Sequence, residues 1–184
     1  MLKVEKLSYA RNARILFKQL TFRLLPGQIL HIVGANGSGK TTLLQILTGL
    51  RIPLTGSVMW NGISIEKNRE KFTENLLYVN HRLGMKAALT PNENLYLCLA
   101  RRNLIDKQSK QKTLQNIRQT LEELNLKNCS DTLLTQLSLG QQRRLSLAKL
   151  LLIKADCWIL DEPFTSLDKE AIAFLSSLME KHSA

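Results

Sequence analysis

The stretch GANGSGKT, residues 34–41, decides the fold predicted for this 184-residue chain. It fits the pattern G-x-x-x-x-G-K-[ST]. A short apolar run, QILHIVG, ends at its first glycine, and a helical pattern, KTTLLQILTGL, starts at its lysine. In such a strand–turn–helix, backbone N–H groups of the turn point at a phosphate, and the helix N-terminus adds partial positive charge. The stretch therefore predicts a nucleoside triphosphate site in an α/β fold of the P-loop NTPase class.

The last two residues of this loop supply side-chain chemistry. Lys40 brings a full positive charge to the β- and γ-phosphates, and the Thr41 hydroxyl is a ligand for Mg²⁺. The alternative is a glycine-rich turn with an incidental lysine, but average residue usage makes such a chance match rare. The residues predicted to bind the nucleotide here are Gly34, Ala35, Asn36, Gly37, Ser38, Gly39, Lys40, Thr41 and Thr42.

A second apolar run, CWILDE at residues 157–162, ends in two acids. Acids at the carboxyl end of a strand lie at the crevice where α/β sheets hold ligands. Because neighbouring side chains of an extended backbone point in different directions, Asp161 is expected to bind Mg²⁺ while Glu162 faces the γ-phosphate and an attacking water. The alternative, an acid pair that caps the next helix, is less favoured beside a phosphate loop. The pair predicts hydrolysis rather than nucleotide storage.

A third stretch, LSLGQQRR at residues 137–144, predicts a helix that faces an anion. Ser138 and Gln141 have the spacing of a capping box, which fixes the helix start. Gly140 lies in the first turn, where glycine is a poor helix former but lets a large group approach the backbone N–H donors. Ser138 is expected to cap a core helix as well, and the two roles are compatible.

The remaining patterns alternate between strand and helix. LKVEKL, LFKQLTFRL and NLLYVN predict strands, and Asn61-Gly62 within GSVMWNGISI predicts a hairpin turn. Helices are predicted from Ser138 to about Ile153 and around Leu175 and Leu178. Two further helices follow from a capping box and from apolar spacing, one from Thr90-Pro91-Asn92-Glu93 to about Arg102 and one through Leu114, Ile117, Leu121 and Leu124. The pattern predicts an α/β core with a helical insert at about 83–135.

Composition limits the classes of protein that remain. No apolar run approaches the length of a membrane span, and the charged N-terminus is unlike a signal peptide, so a cytoplasmic protein is expected. The net charge of +11 fits nucleic acid, an anionic membrane face, an acidic protein or a solvated lysine-rich surface, and no nucleic-acid-binding motif accompanies it. Cys98, Cys129 and Cys157 are far apart, so reduced thiols are expected rather than a metal or haem site.

Together these motifs resemble the ATP-binding subunits of ABC transporters. LSLGQ matches the family signature, commonly written LSGGQ, the Asp161-Glu162 ending matches its Walker B motif, and Ser166-Leu167-Asp168 matches its D-loop. The resemblance covers nearly the whole chain. It implies one ABC ATPase domain over residues 1–184, with an antiparallel β subdomain, a parallel-sheet core and a small helical subdomain. It also implies ATP and Mg²⁺ as cofactors, with Lys40, Glu162 and Ser138 as catalytic residues.

The resemblance further implies partners. Two copies would pack head to tail, so that Ser138, Gly140 and Gln141 of one copy face the γ-phosphate held by the other. Integral membrane subunits would complete the complex at the cytoplasmic face of the inner membrane, without direct contact to nucleic acid. Within the family, the segments around these motifs resemble haem exporters of cytochrome c maturation. The alternatives are an exporter of another cargo, a ribosome- or nucleic-acid-associated member, and an ATP-gated clamp that does not hydrolyse ATP.

The sequence departs from the family pattern at three places. Arg82 replaces the usual glutamine after LLYV, and His81 or Asn80 is a possible substitute. The family's adenine-stacking aromatic falls near Arg11, whose guanidinium could stack on a base, and Tyr9 is the slightly favoured rival. The family's switch histidine follows one further strand, and the sequence ends at Ala184 before it. A truncated sequence is one explanation, and a natural end would predict impaired catalysis.

Overall fold

The computed structural model describes residues 1–80, 84–105 and 110–184, and in these ranges the chain forms six strands and six α-helices. It divides into two compact units, Met1–Leu76 with Glu180–Ala184, and Leu77–Met179. In chain order the elements are β1 (Leu2–Arg11), β2 (Arg14–Leu24), α1 (Lys40–Leu47), β3 (Thr55–Trp60), β4 (Ile63–Ser64), α2 (Arg69–Glu74), β5 (Leu76–Val79), α3 (Pro91–Arg101), α4 (Lys110–Glu123), α5 (Leu139–Leu152), β6 (Cys157–Leu160) and α6 (Lys169–Ser183).

The first unit is built on an antiparallel sheet of order β2-β1-β3-β4. Alternation along β1 buries Leu2 and Val4 on one face, as its apolar–polar pattern predicts. The predicted hairpin between β3 and β4 is confirmed. Asn61 and Gly62 both have positive φ, +49° and +83°, which is the geometry of a type I′ turn.

Helix α1 ends where its sequence predicts. Gly49 takes a left-handed φ of +71°, and its N–H donates to the carbonyl of Ile46 at 3.0 Å. The next N–H, of Leu50, donates to the carbonyl of Gln45 at 2.9 Å. These two bonds form a Schellman motif, which a glycine at this position permits.

One predicted strand differs in the structure. The run QILHIVG was expected to form a buried parallel strand, but residues 28–34 join neither of the two described sheets. Ile29, Leu30 and Val33 are 56%, 45% and 80% exposed. An apolar run becomes a parallel strand only beside partner strands, and the four strands of the first sheet pair among themselves without it. The expectation of a buried strand here was therefore wrong.

The second unit packs helices α3, α4 and α5 around the two-stranded sheet of β5 and β6. Its core consists mainly of leucines, and Leu95, Leu121, Leu145 and Leu147 are at most 1% exposed. The predicted helices and strands of this unit are confirmed. The predicted insert at about 83–135 contains α3 and α4, and its status as a separate subdomain of one ABC domain stays a prediction. Among the helices of the described ranges, none has the length and apolarity needed to cross a membrane.

Asn94 fixes the loop before α3. It is 6% exposed, and its side-chain oxygen accepts the Lys86 N–H at 2.8 Å. Its amide nitrogen donates to the carbonyls of Lys86, Leu89 and Thr90 at 3.0–3.1 Å. The predicted capping box of Thr90 and Glu93 begins the helix at the end of this loop. Residues 86–90 are therefore held in one conformation from within the chain.

Candidate active site

The predicted phosphate loop lies directly before α1 in the first unit. Gly37 and Gly39 have φ angles of +77° and +100°, conformations that residues with a Cβ rarely adopt. A Cβ at Gly34 would lie 2.7 Å from the Ser38 hydroxyl, so that hydroxyl would have to shift to admit a side chain. Gly39 is the N-cap of α1, where the described chain provides no side-chain cap. A helix start of this kind suits an anion.

Lys40 lies over this loop. Its ammonium donates to the carbonyl oxygens of Gly34 at 2.7 Å and Ala35 at 3.1 Å. The N–H of Ser38 closes the turn by donating to the carbonyl of Ala35 at 3.1 Å. Because the ammonium meets carbonyl dipoles in these bonds, its charge remains available for a phosphate. Lys40 therefore lies at the loop, and the binding of a phosphate there stays a prediction.

The β1–β2 ribbon borders the loop within the same unit. A Cβ at Gly39 would lie 3.1 Å from the Leu16 side chain. Tyr9 is engaged by Arg51, whose guanidinium lies 5.5 Å from the ring centroid and donates to the Tyr9 hydroxyl at 2.7 Å. Arg11 is exposed at the end of β1. Arg51 was not predicted as part of this region, because no local pattern connects it with Tyr9, 42 residues away.

The two carboxylates lie at the end of β6 in the second unit. Asp161 is 2% exposed, and its N–H donates to the carbonyl of Val79 at 2.9 Å, which joins the ends of β5 and β6. Glu162 is exposed and has a left-handed φ of +51°. The two side chains differ in exposure, but Glu162 lacks the extended backbone from which the prediction was argued, so their roles towards Mg²⁺ and water stay predictions. A non-glycine residue in this conformation costs about 1–3 kcal/mol, so its surroundings must hold it there.

Helix α5 begins as its sequence predicts. The Ser138 hydroxyl accepts the Gln141 N–H at 3.2 Å, and the Gln141 side chain accepts the Ser138 N–H at 2.8 Å. A Cβ added to Gly140 would have its nearest neighbour, the carbonyl of Ser166, at 3.7 Å, an ordinary contact distance. Packing within the described residues therefore does not require glycine at this position, and its role towards a second copy stays a prediction.

Arg143 connects α5 to the carboxylate pair, and its role was not predicted. It is 5% exposed, and its guanidinium donates to the carbonyls of Asn80 at 3.3 Å, Asp161 at 3.2 Å and Glu162. Burial lowers the pKa of Arg143, and the negative charges of Asp161 and Glu162 oppose that shift. Helical periodicity gives no signal for Arg143, because the buried residues of α5 lie on all sides of the helix.

The neighbouring Arg144 connects the same helix to the next segment. Its guanidinium lies 3.1 Å from a carboxylate oxygen of Asp168, and the other oxygen of that carboxylate accepts the Ala171 N–H at 2.9 Å. Asp168 therefore binds α5 and caps α6 at once. This is the aspartate that the sequence assigned to the D-loop.

Two predicted residues cannot be placed. Arg82 and His81, named for the family's glutamine position, lie outside the described residues, and their role stays a prediction. Asn80, the third candidate, uses its carbonyl to accept from Arg143. The phosphate loop belongs to the first unit, and Asp161, Glu162 and Ser138 belong to the second. Their joint action on a nucleotide is part of the proposal below.

Tyr78 gives a prediction for stability at high pH. Its hydroxyl is buried without a hydrogen-bond partner among the described residues. Burial, and secondarily the charge of Asp161, raises its pKa from 10.0 to about 12. The folded state therefore favours the protonated phenol. The resulting contribution to the free energy of unfolding is present below pH 10 and is lost as the pH rises towards 12. Tyr78→Phe is expected to abolish this fall in the free energy of unfolding at high pH, which is worth on the order of 1–2 kcal/mol after solvent screening.

Urea unfolding of both proteins at pH 8 and pH 11, followed by circular dichroism, measures this difference. At pH 8 the variant should match or slightly exceed the natural chain, since it lacks an unsatisfied buried hydroxyl. Burial also raises the pKa of Cys157, to about 11, but this affects both proteins equally. An equal fall in stability for the two proteins would contradict the assignment to Tyr78.

Known proteins are similar to this chain over most of its length. A family model described as ABC transporter matches residues 17–165. The "Cytochrome c biogenesis ATP-binding export protein CcmA" of Vibrio vulnificus strain YJ016 is 41% identical over 182 residues, which cover 99% of this chain and 86% of that protein. The protein of the same name from Yersinia pestis is 41% identical over 184 residues, covering 100% of this chain and 81% of that protein.

Solved structures show the same fold. An ATP-binding subunit of an ABC transporter superposes with a TM-score of 0.85 at 25% identity, covering 100% of this chain and 75% of that one. A dimeric ATP-binding cassette in a post-hydrolysis state, bound to ADP and Pi, superposes with a TM-score of 0.86 at 24% identity, covering 100% and 83%.

Proposed function

Since this chain belongs to the ABC transporter ATPases, which hydrolyse ATP to drive transport, we propose that it is the ATP-binding subunit of an export complex in cytochrome c biogenesis. The observation that carries the ATPase part is the phosphate loop before α1, where the Lys40 ammonium lies over the carbonyls of Gly34 and Ala35. The biological role is supported by the cytochrome c biogenesis relatives, 41% identical over most of their length. Haem is the proposed cargo, and ATP hydrolysis would drive its export and the release of a haem-loaded periplasmic chaperone.

The nucleotide would be held first by its phosphates. The backbone of the phosphate loop and Lys40 would take the β- and γ-phosphates, because the loop leads into the N-terminus of α1 and carries the Lys40 cation. The Thr41 hydroxyl and the Asp161 carboxylate would hold Mg²⁺, since both offer the hard oxygen ligands that this ion prefers. When bound, Mg²⁺ neutralises charge on the phosphates.

Arg11 is the residue proposed to stack on the nucleotide base, although the sequence alone slightly favoured Tyr9. Arg51 already occupies one face and the hydroxyl of Tyr9. Arg11 is exposed on the same ribbon, which borders the phosphate loop through Leu16. A guanidinium plane can stack on an aromatic base, so the Arg11 side chain would stack on the base. Tyr9 would instead hold Arg51 in place.

Glu162 would act as the general base. Its exposed carboxylate follows directly on the buried Asp161, so it can accept a proton from a water that attacks the γ-phosphate. Ser138, Gly140 and Gln141 of a second copy would close the site, since a capped helix N-terminus with a glycine in its first turn can approach a γ-phosphate closely. Hydrolysis then removes the group that joins the two copies.

Membrane subunits of the exporter are the remaining partners. The chain would bind them at the cytoplasmic face of the membrane, because the described residues contain no membrane-spanning helix and the energy source is cytoplasmic ATP. The helical insert at about 83–135, with Arg82 to Lys86 at its edge, is the proposed docking face, and Asn94 holds residues 86–90 within it in one conformation.

Deletion of the gene in its host tests the biological role. We expect loss of holo-cytochromes c, measured by haem-peroxidase staining of membrane and periplasmic fractions, with b-type cytochromes unchanged as the control. The natural gene should restore the staining, and a gene encoding Glu162→Gln should not. Normal c-type cytochromes in the deletion strain would show that the exporter serves another cargo. RNA bound to the purified protein would instead favour the ribosome-associated alternative.

A further inference from the structure

Arg143 is a buried cation whose hydrogen bonds, within the described residues, all go to backbone carbonyls. The neighbouring positions on the same helical face, Leu147 and Leu150, are leucines, so packing alone would favour an apolar residue here. Burial removes the hydration of an arginine, and its hydrogen-bond partners must offset the free energy lost in that way. Its three partners, the carbonyls of Asn80, Asp161 and Glu162, belong to the segments that follow β5 and β6.

The bond to the Glu162 carbonyl has a specific consequence. Glu162 has a φ of +51°, which a non-glycine residue keeps only when its neighbours hold it. Arg143 donates to the carbonyl of this residue and to that of Asp161 before it, so it fixes the peptide groups on both sides of the Glu162 Cα. The direction of the Glu162 side chain therefore depends on the guanidinium.

We propose that Arg143 is a positioning residue that sets the direction of the Glu162 carboxylate. Through Arg143, that direction depends on the position of helix α5. Ser138 and Arg143 lie on one rigid helix, about 7.5 Å apart along its axis. A shift of the helix start, as when it engages a phosphate on a second copy, moves the guanidinium and with it the Glu162 backbone. This inference rests on the proposed role of Glu162 as general base.

Kinetics of purified Arg143→Gln and Arg143→Lys test this proposal, with Arg118→Gln on the exposed side of α4 as a control that removes one arginine elsewhere. Arg143→Gln is expected to lower kcat by about 100-fold, the effect of a catalytic group misplaced by about 1 Å, while KM for ATP changes less than threefold. Arg143→Lys keeps a donor and a charge and should recover part of kcat. With ATP and Mg²⁺, Arg143→Gln should accumulate as a dimer, which a folding defect would not cause.

A double variant separates positioning from a purely structural role. If Arg143 acts through Glu162, Arg143→Gln combined with Glu162→Gln should hydrolyse ATP no more slowly than Glu162→Gln alone. A further tenfold loss in the double variant, or an unchanged kcat in Arg143→Gln, overturns the proposal. If Arg143→Gln does not fold, full activity of Arg143→Lys, whose ammonium cannot bind three separated carbonyls at once, overturns it equally. A normal rate for Glu162→Gln would refute the general base itself, a result distinct from any of these.

Discussion

Replacing Glu162 with Gln is expected to lower the ATPase rate by about 10²–10⁴-fold, the usual contribution of a general base, while ATP binding is kept. The amide has nearly the same shape as the carboxylate but cannot take a proton from water. The side chain is exposed, so its neutralisation should leave the fold intact. The nucleotide then persists, and a complex of two chains joined by ATP should accumulate.

Light scattering after size exclusion, with ATP and Mg²⁺ in the running buffer, measures that accumulation, and phosphate release measures the rate. Glu123→Gln on the exposed side of α4 is the matched control, because it removes the same charge away from the site. Hydrolysis at the natural rate in Glu162→Gln would exclude Glu162 as the group that orients the water. A monomer under every condition, including reconstitution with membranes, would refute the two-copy arrangement.

Replacing Lys40 with Ala is expected to weaken ATP binding by about 10- to 100-fold. Hydrogen bonds to charged groups contribute about 1.5–3 kcal/mol each, and 1.4 kcal/mol corresponds to tenfold in affinity. The loss should be largest for ATP, smaller for ADP and absent for adenosine, because the ammonium is assigned to the β- and γ-phosphates. This order distinguishes a lost phosphate contact from a damaged loop.

Isothermal titration with the three ligands tests the order. Lys18→Ala, on the exposed edge strand β2 of the same unit, controls for a general loss of positive charge. Equal affinity of Lys40→Ala and the natural chain for ATP would contradict the assignment of residues 34–41 as a phosphate loop. An equal loss for all three ligands would point to a collapsed loop instead.

Features that depend on neighbours in sequence could be predicted. The capping boxes at Thr90 and Ser138, the helix end at Gly49 and the Asn61-Gly62 hairpin were all predicted correctly, since each depends on a few adjacent residues. The short helix α2 was missed because Phe72 is its one buried residue, which gives no apolar period.

Features that depend on distant partners could not be predicted. The run at residues 28–34 has the composition of a buried strand, but strand formation requires partner strands that composition does not specify. Arg51 donates to the Tyr9 hydroxyl across 42 positions of the sequence. Arg143 donates to the Glu162 carbonyl across 19 positions. The motifs therefore indicate a chemistry for the candidate site, which stays a prediction, but they give no sign of the side chains that hold it in place.

The hydrogen bonds of Asn94 to residues 86–90 bear on how fast and how tightly a membrane partner can bind. Ordering a backbone residue costs roughly 1–2 kcal/mol in conformational entropy. In this loop the entropy is already lost when the chain folds. Ordering of the loop therefore subtracts little from the free energy of binding to a partner. Assembly of an exporter on this loop would then resemble the docking of two rigid bodies, with rapid engagement and little induced fit.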